Sequence, residues 1–281
     1  MKNEALENKD DNELEIISKE EQAVLEKIAG GNWKKYGRVV MAALGVLPWV
    51  GSILSATVTL SSEDDQGETN QLLFLWVKEH GIKLSELSRM LNSVFAQFES
   101  FGESLKERIE SKEYIGIVRK AFKIWDGAET YEKKEKIRKL LTNAGGNAIV
   151  QDNWLHIFLD WIEKYNDLHF AVIAQIYTNP SITRKKIWLN IKGKIPTDSS
   201  DEADMFKLLI DDLTIGRVIR QRRETNSLGQ FYKKERKPKC HSSDVMDSPF
   251  DDEDLYVLTE LGTGFVRYVM NELIPKIGNT Q

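Results

Sequence analysis

The residues that most often carry chemistry are sparse in this chain of 281 residues. Its four histidines include no pair four positions apart on one helix, which is the spacing of a helical zinc site. His156 and Asp160 are one helical turn apart and His169 follows, but large aromatic residues flank them, which favours packing. The sequence therefore predicts no metal ligand among these residues.

Residues for nucleophilic catalysis are equally sparse. Cys240 is the single cysteine, and adjacency alone does not let His241 activate it, because neighbouring side chains diverge along the chain. The chain contains neither a phosphate-binding glycine loop nor a serine nucleophile elbow. We therefore expect no catalytic residue, no metal and no cofactor, and a protein that is not an enzyme.

The composition is that of a folded protein outside the secretory pathway. Hydrophobic residues make up 41% of the chain and charged residues 30%, and the net charge of −5 gives no general attraction to nucleic acid or anionic lipid. One cysteine allows no internal disulfide. Residues 1–22 are polar and acidic, unlike a secretory signal. We expect a cytoplasmic protein, with membrane association only as a peripheral or inducible property.

An uncharged run covers residues 39–62 and is long enough to cross a bilayer as one helix. Gly45, Pro48 and Gly51 interrupt it, which favours a hairpin of two short helices. Two interpretations stay open: a hairpin buried in a helical bundle, or a segment that enters a membrane. In either interpretation, the apolar surface of the hairpin is formed by Val39, Val40, Leu44, Leu47, Pro48, Trp49, Val50, Ile53 and Leu54.

The segment GVLPWVGSILS within this run is similar in style to the broken hydrophobic hairpins of helical pore-forming toxins. The similarity implies release of the hairpin from a bundle into a bilayer, with Trp33 and Tyr36 as aromatic anchors at the membrane interface. It makes a membrane-active effector, like those among bacterial toxins and phage-defence proteins, one hypothesis for the function.

The most regular helical pattern follows this run. Apolar residues recur at spacings of three and four, as in the seam of a bundle or coiled-coil helix. The seam consists of Leu84, Leu87, Leu91, Val94, Phe98, Phe101 and Leu105. We expect one helix along the seam, preceded by a separate short helix that ends at Gly81, and packing against a helix of this chain or of a second copy.

The C-terminal part changes character. It predicts helices at 152–177, 181–191 and 205–213, strands at 218–219 and 255–258, and a last helix from 260. With a long polar connection at 220–254 and the segment YVLTELGTGFVRYV, this order resembles winged-helix domains, where a y-x-L-T-x-x-G pattern closes the wing. The resemblance covers about residues 165–275 and implies that the connection is the wing and that the third helix faces a groove.

The predicted wing and its approach are basic. They carry Arg217, Arg220, Arg222, Arg223, Lys233, Lys234, Arg236 and Lys237. Such a cluster, with Phe231 and Tyr232 inside it, can bind a phosphate backbone. The third helix is acidic instead, with Asp201, Glu202, Asp204, Asp211 and Asp212. Because DNA repels these carboxylates, nucleic-acid binding is disfavoured. A solvated loop is the simpler interpretation, and contact of the basic stretch with an acidic protein or a lipid surface stays open.

These patterns predict a mainly α fold: a flexible N-terminus (1–11), a helical bundle with the hydrophobic hairpin (12–150), and a long helix with a winged-helix-like α+β domain (151–281). The leading hypothesis is a non-enzymatic effector or adaptor that acts through protein contacts and, through the hairpin, on a membrane. The alternatives are a winged-helix nucleic-acid-binding regulator and a structural subunit of a helical assembly.

Overall fold

The computed structural model describes residues 26, 28–52, 67–101, 104–146, 150–223, 226–228, 230, 248–250 and 254–271. The fold is mainly helical with a small three-stranded antiparallel sheet, which confirms the mainly α prediction. The described residues divide into an N-terminal unit that ends at Leu159 and a C-terminal unit that begins at Asp160. The sequence placed this boundary at residues 150–151, before the helix that contains it.

The N-terminal unit consists of helices. They are a 3₁₀ turn at Gly30–Trp33, α1 (Gly37–Leu44), helical residues 48–52, α2 (Gly67–Phe98), α3 (Ser104–Glu110), α4 (Lys112–Gly127) and α5 (Tyr131–Gly146), followed by the first part of α6 (Asp152–Lys164). In α4, Ser111 caps the N-terminus by accepting a hydrogen bond from the Tyr114 N–H at 3.2 Å. One face of α4 is buried, and α1, α3 and α5 pack on this helix.

Helix α2 corrects the expected break at Gly81. The helix runs continuously through this glycine and ends at Phe98, so Phe101 lies in the following turn and Leu105 in α3. A glycine inside a helix costs only about 1 kcal/mol, which the packing of α2 along α5 outweighs. Six seam residues, Leu87, Leu91, Val94, Phe98, Phe101 and Leu105, are buried, and Leu84 is half-buried.

The start of α6 belongs to the N-terminal unit because residues of that unit bind one of its side chains and one of its backbone carbonyls. Arg108 of α3 forms an ion pair with Asp152, and its Nη1 lies 3.0 Å from Oδ2 of that carboxylate. Lys120 of α4 donates to the carbonyl of His156 at 3.0 Å. These contacts explain why the unit boundary falls inside α6 and not before it.

The C-terminal unit alternates helices with short strands. After α6 come α7 (Asp167–Thr178), β1 (Ile182–Thr183), α8 (Arg184–Lys192), α9 (Asp201–Ile215), β2 (Ile219–Gln221), β3 (Leu255–Leu258) and α10 (Glu260–Phe265), which continues into a π-helical turn at Val266–Met270. The expected single helix over 152–177 is wrong. Asn166 has an extended backbone and accepts hydrogen bonds from the N–H groups of Leu168 and His169, so it ends one helix and caps the next.

The sheet has the order β1–β3–β2, and both pairings are antiparallel. Ile182 pairs with Tyr256 in one ladder and Arg220 pairs with Val257 in the other. Strand β1 lies within the helix predicted at 181–191. Ser181 has a positive φ of 68°, which is incompatible with a right-handed helix, and Thr183 is the residue that caps α8.

Among the described residues, no helix is long and apolar enough to cross a membrane.

Candidate functional site

Helix α9 has a surface that differs from that of an ordinary packed helix. Ser200 caps it by accepting a hydrogen bond from the Ala203 N–H at 3.2 Å. Acidic residues in its first turn interact favourably with the positive end of the helix dipole. One face packs into the unit through Phe206, Leu209, Ile210 and Leu213, all of which are buried.

The opposite face of α9 carries a second apolar stripe that no described residue covers. The side chain of Leu208 is 60% exposed and that of Ile215 is 77% exposed. Two exposed carboxylates, Asp204 and Asp211, follow the same spacing of four, three and four. Leu208 and Ile215 are therefore two turns apart, roughly 10 Å along the axis. We call Asp204, Leu208, Asp211 and Ile215 the α9 face.

The exposed charges of α9 are predominantly negative. Asp201, Glu202, Asp204 and Asp211 are exposed, and Lys207 is the one exposed cation of this helix. Asp212 was grouped with these acids on the basis of the sequence, but it is only half-exposed and is bound to neighbouring helices. Its Oδ1 accepts a hydrogen bond from Lys164 Nζ at 3.1 Å, and its Oδ2 is 3.6 Å from His169 Nε2. Asp212 thus fixes α9 onto α6 and α7.

The residues beneath Asp212 are packed tightly. His169 is buried, stacks on Tyr165 with ring centroids 4.8 Å apart, and its Nδ1 lies 2.9 Å from Oδ1 of Asn166. The Tyr165 hydroxyl occupies the space that a side chain on Gly216 would need. Burial, with a smaller contribution from Asp212, raises the pKa of Tyr165 to about 12. This cluster holds α9 in place and leaves its opposite face outward.

The y-x-L-T-x-x-G segment acts as a structural lock on the sheet. Tyr256 is buried, and its hydroxyl accepts a hydrogen bond from Arg184 Nε at 2.8 Å. Thr259 caps α10: its Oγ1 accepts from the Gly262 N–H at 2.9 Å and donates to the carbonyl of Arg217 at 2.6 Å. The motif therefore joins the end of β3 to the turn before β2.

The predicted basic residues are only partly brought together. Arg217 is exposed in the turn before β2 with a positive φ of 60°, and Arg220 is exposed on β2. Arg222 donates through Nη1 to Ser181 Oγ at 2.9 Å, and Arg223 is exposed. The other members of the predicted cluster, Lys233, Lys234, Arg236 and Lys237, lie outside the described residues.

The first half of the uncharged run lies in the core of the N-terminal unit. Val39, Val40, Leu47, Trp49 and Val50 are buried, Leu44 is half-buried and Pro48 is exposed. The indole N–H of Trp49 donates to Asp126 Oδ1 at 2.7 Å, which ties this segment to the end of α4. Ile53 and Leu54 lie outside the described residues.

The two aromatic residues expected to anchor at a membrane lie on the same unit. Tyr36 is buried and stacks on Phe95 with ring centroids 4.7 Å apart. Trp33 is half-buried, and its Nε1 is buried. In this structure, therefore, Tyr36 contributes to the packing of the 33–36 segment against α2.

The apolar residues of the α9 face were missed by the sequence analysis, although a signal for them exists. Apolar residues occur on both sides of this helix, Leu208 and Ile215 on one and Leu209 and Leu213 on the other. A surface helix of a folded domain needs only one apolar stripe.

Among the described residues, no group of three or more His, Cys, Asp or Glu side chains is placed to hold a metal.

Comparison with known proteins adds no relative to this description. No protein-family model matches the chain, and neither a curated protein nor a solved structure matches it significantly.

Proposed function

We propose that this protein is a non-enzymatic adaptor whose C-terminal unit is a winged-helix module that binds a protein through the α9 face. The observation that carries the proposal is the pair of exposed apolar residues, Leu208 and Ile215, set among exposed carboxylates on a helix whose other side is fully packed. The partner surface is expected to be basic around an apolar patch.

The order of elements supports the winged-helix part of the proposal. A helix, a short strand, two helices and two further strands follow one another from α7 to β3, and the last strand lies between the first two in the sheet. In a winged-helix module with this order of elements, α9 would be the third helix and the chain between β2 and β3 the wing. The lock formed by Tyr256, Thr259 and Gly262 gives the pattern y-x-L-T-x-x-G a structural reason.

The charge of α9 favours a protein over nucleic acid as its partner. Four exposed carboxylates against one exposed ammonium produce a negative potential along this helix. A helix that enters a DNA groove needs donors for base edges and phosphates, which carboxylates do not supply. Exposed Leu and Ile side chains at two-turn spacing are instead the anchors by which a helix meets an apolar protein surface.

Site-specific photo-cross-linking in the cells that produce the protein tests this function. A benzophenone amino acid at position 208 should give a discrete adduct with a protein. The matched control places it at Tyr177, which is exposed on α7 in the same unit. The adduct should form from position 208 and not from position 177, because only the former lies on the α9 face.

The partner identified in this way is then purified and its dissociation constant with the full chain is measured. The double variant Leu208→Asp, Ile215→Asp should weaken binding at least about tenfold, and Asp204→Lys with Asp211→Lys should weaken it and change its salt dependence. Equal adducts from both positions, or unchanged binding by the Asp variants, would contradict the proposal.

The nucleic-acid alternative is tested in parallel by mobility shift with a mixed-sequence DNA duplex at low salt. Salt-dependent binding that is lost in the triple variant Arg220→Gln, Arg222→Gln, Arg223→Gln would favour a regulator that binds through its wing. Such a result, without a protein adduct from position 208, would replace the adaptor proposal.

A further inference from the structure

A second surface, in the N-terminal unit and separate from the α9 face, has the features of a ligand site. A cavity of about 770 Å³ lies between the 34–36 segment, the end of α2 and helix α3. A smaller cavity of about 450 Å³ shares most of its lining and extends it along residues 33–39. The larger cavity falls within the range of about 300–1,000 Å³ that is usual for small-molecule sites.

The base of the cavity is apolar. It is formed by Tyr36, Phe98, Leu105 and Ile109, side chains that are themselves buried in the unit. Tyr36 is held by its stacking on Phe95, so one wall of the cavity is fixed before any ligand arrives. A rigid apolar base favours an alkyl chain or ring over a hydrated ion.

The rim of the cavity is basic. Lys34, Lys35 and Lys106 line the larger part, and Arg38 lines the smaller. The lining also contains two acids, Glu99 and Glu110. Glu99 is 3.9 Å from Lys35 Nζ, with both side chains largely exposed, and such a pair interacts weakly. Among the described residues that line the two cavities, the basic side chains outnumber the acidic ones by four to two.

We infer that the cavity binds an amphipathic anion, a molecule with a carboxylate or phosphate head and an apolar chain. The head lies at the rim formed by Lys34, Lys35, Arg38 and Lys106, and the chain lies on the base formed by Tyr36, Phe98, Leu105 and Ile109. A free acyl or alkyl anion and the headgroup region of an anionic lipid share this chemistry.

The test uses the purified full chain and dodecyl phosphate below its micelle concentration, measured by isothermal titration calorimetry. One molecule should bind per chain. Inorganic phosphate, which lacks the alkyl chain, and dodecyl maltoside, which lacks the negative charge, should each bind at least about tenfold more weakly than dodecyl phosphate. If inorganic phosphate binds as tightly as dodecyl phosphate, the apolar base contributes nothing to binding. If dodecyl maltoside binds as tightly, the basic rim contributes nothing. Either result overturns the inference.

Variants of opposite sign separate the rim from general effects on folding. Lys34→Gln with Lys106→Gln should weaken binding about tenfold, whereas Glu110→Gln should tighten it roughly threefold, which an unfolded variant could not do. The matched control, Lys112→Gln with Lys123→Gln, removes the same charge from exposed positions of α4 outside the cavity. If the control weakens binding as much as the rim variant, the inference is wrong.

Vesicles distinguish the two sources of the ligand. Flotation with phosphatidylglycerol vesicles that dodecyl phosphate inhibits, and that the rim variant loses, supports a lipid headgroup as the source. Dodecyl phosphate binding without flotation supports a free amphiphile. Flotation that is insensitive to the rim variant and is not accompanied by dodecyl phosphate binding identifies adsorption elsewhere and overturns the inference.

Discussion

Gly262 lies so close to the backbone carbonyl of Val218 that no Cβ atom could be accommodated between them. Val218 accepts a second contact from the same segment, because the Thr259 N–H donates to its carbonyl at 3.0 Å. These backbone contacts, together with the Thr259 hydroxyl that donates to the carbonyl of Arg217, fix the start of α10 to the residues just before β2. Backbone yields less readily than the end of a flexible side chain, so this contact limits what residue 262 can be.

Replacing Gly262 with Ala should lower the free energy of unfolding of the C-terminal unit by about 2 kcal/mol, since either α10 or β2 must shift. Urea unfolding followed by circular dichroism measures this change. Gly116→Ala is the control, because a Cβ at that interior position of α4 meets nothing within 4 Å. We expect Gly116→Ala to stabilise the protein by about 0.5 kcal/mol. A Gly262→Ala variant as stable as the parent would show that the contact is not tight.

Truncation of an apolar side chain should destabilise the protein strongly on the packed side of α9 and very little on its exposed side. Leu209→Ala removes a buried side chain and should cost about 2–5 kcal/mol. Leu208→Ala removes a side chain that is mostly exposed and should change the free energy of unfolding by less than about 0.5 kcal/mol. Both are measured by urea unfolding of the full chain. A large loss from Leu208→Ala would mean that this residue is packed in the free protein, which contradicts its place on a docking face.

The helical class and most of the core could be predicted from the sequence because apolar periodicity is a local property. The residues Leu87, Leu91 and Val94 stand at helical spacing and are buried. Helix boundaries were harder where a side chain, and not the pattern, decides them. The apolar spacing continues through Tyr165, yet the Asn166 cap separates α6 from α7.

Tertiary contacts account for the remaining differences. Gly145 and Gly146 are the last two residues of α5, and the rings of Phe98 and Phe101 occupy the space that side chains at these positions would need. Strand β1 has only two residues, and its pairing with β3 joins positions that are distant in the sequence. Periodicity cannot reveal either contact, because both depend on which segments meet in the folded chain.

Two buried tyrosines should make the protein sensitive to alkaline pH. Burial raises the pKa of Tyr165 to about 12 and that of Tyr114 still further, whereas both have a pKa near 10 in the unfolded chain. Below pH 10 both states keep the proton and the contribution is complete. Above pH 10 the unfolded state loses its proton first, so the free energy of unfolding falls as the pH rises toward 12.

Tyrosinate absorbance and urea unfolding between pH 9 and about 12 measure this loss. Tyr165→Phe should make the fall less steep, and Tyr114→Phe should do so as well, although the latter also removes the hydrogen bond from its hydroxyl to the Leu141 carbonyl at 2.9 Å. A slope that neither substitution changes would mean that other groups govern the alkaline response.

The uncharged run gives the clearest comparison between a core segment and a membrane segment. Leu47 is only 2% exposed, whereas Met41, on the preceding helix α1, is 46% exposed. If the run is core, Leu47→Asp buries an unpaired carboxylate and should lower the free energy of unfolding by several kcal/mol, and Met41→Asp should change it by less than about 0.5 kcal/mol.

Urea unfolding of both variants and flotation of the parent with anionic vesicles give the two readouts. A membrane hairpin would instead leave Leu47→Asp as stable as Met41→Asp in solution, because its apolar side chains would not support the fold before insertion. Leu47→Asp would then abolish flotation and little else. The bond from Trp49 to Asp126 favours the core outcome, because release of the hairpin must break it and expose the apolar side of α1. Strong destabilisation by Leu47→Asp, with no flotation of the parent, would assign this segment to the core of the N-terminal unit.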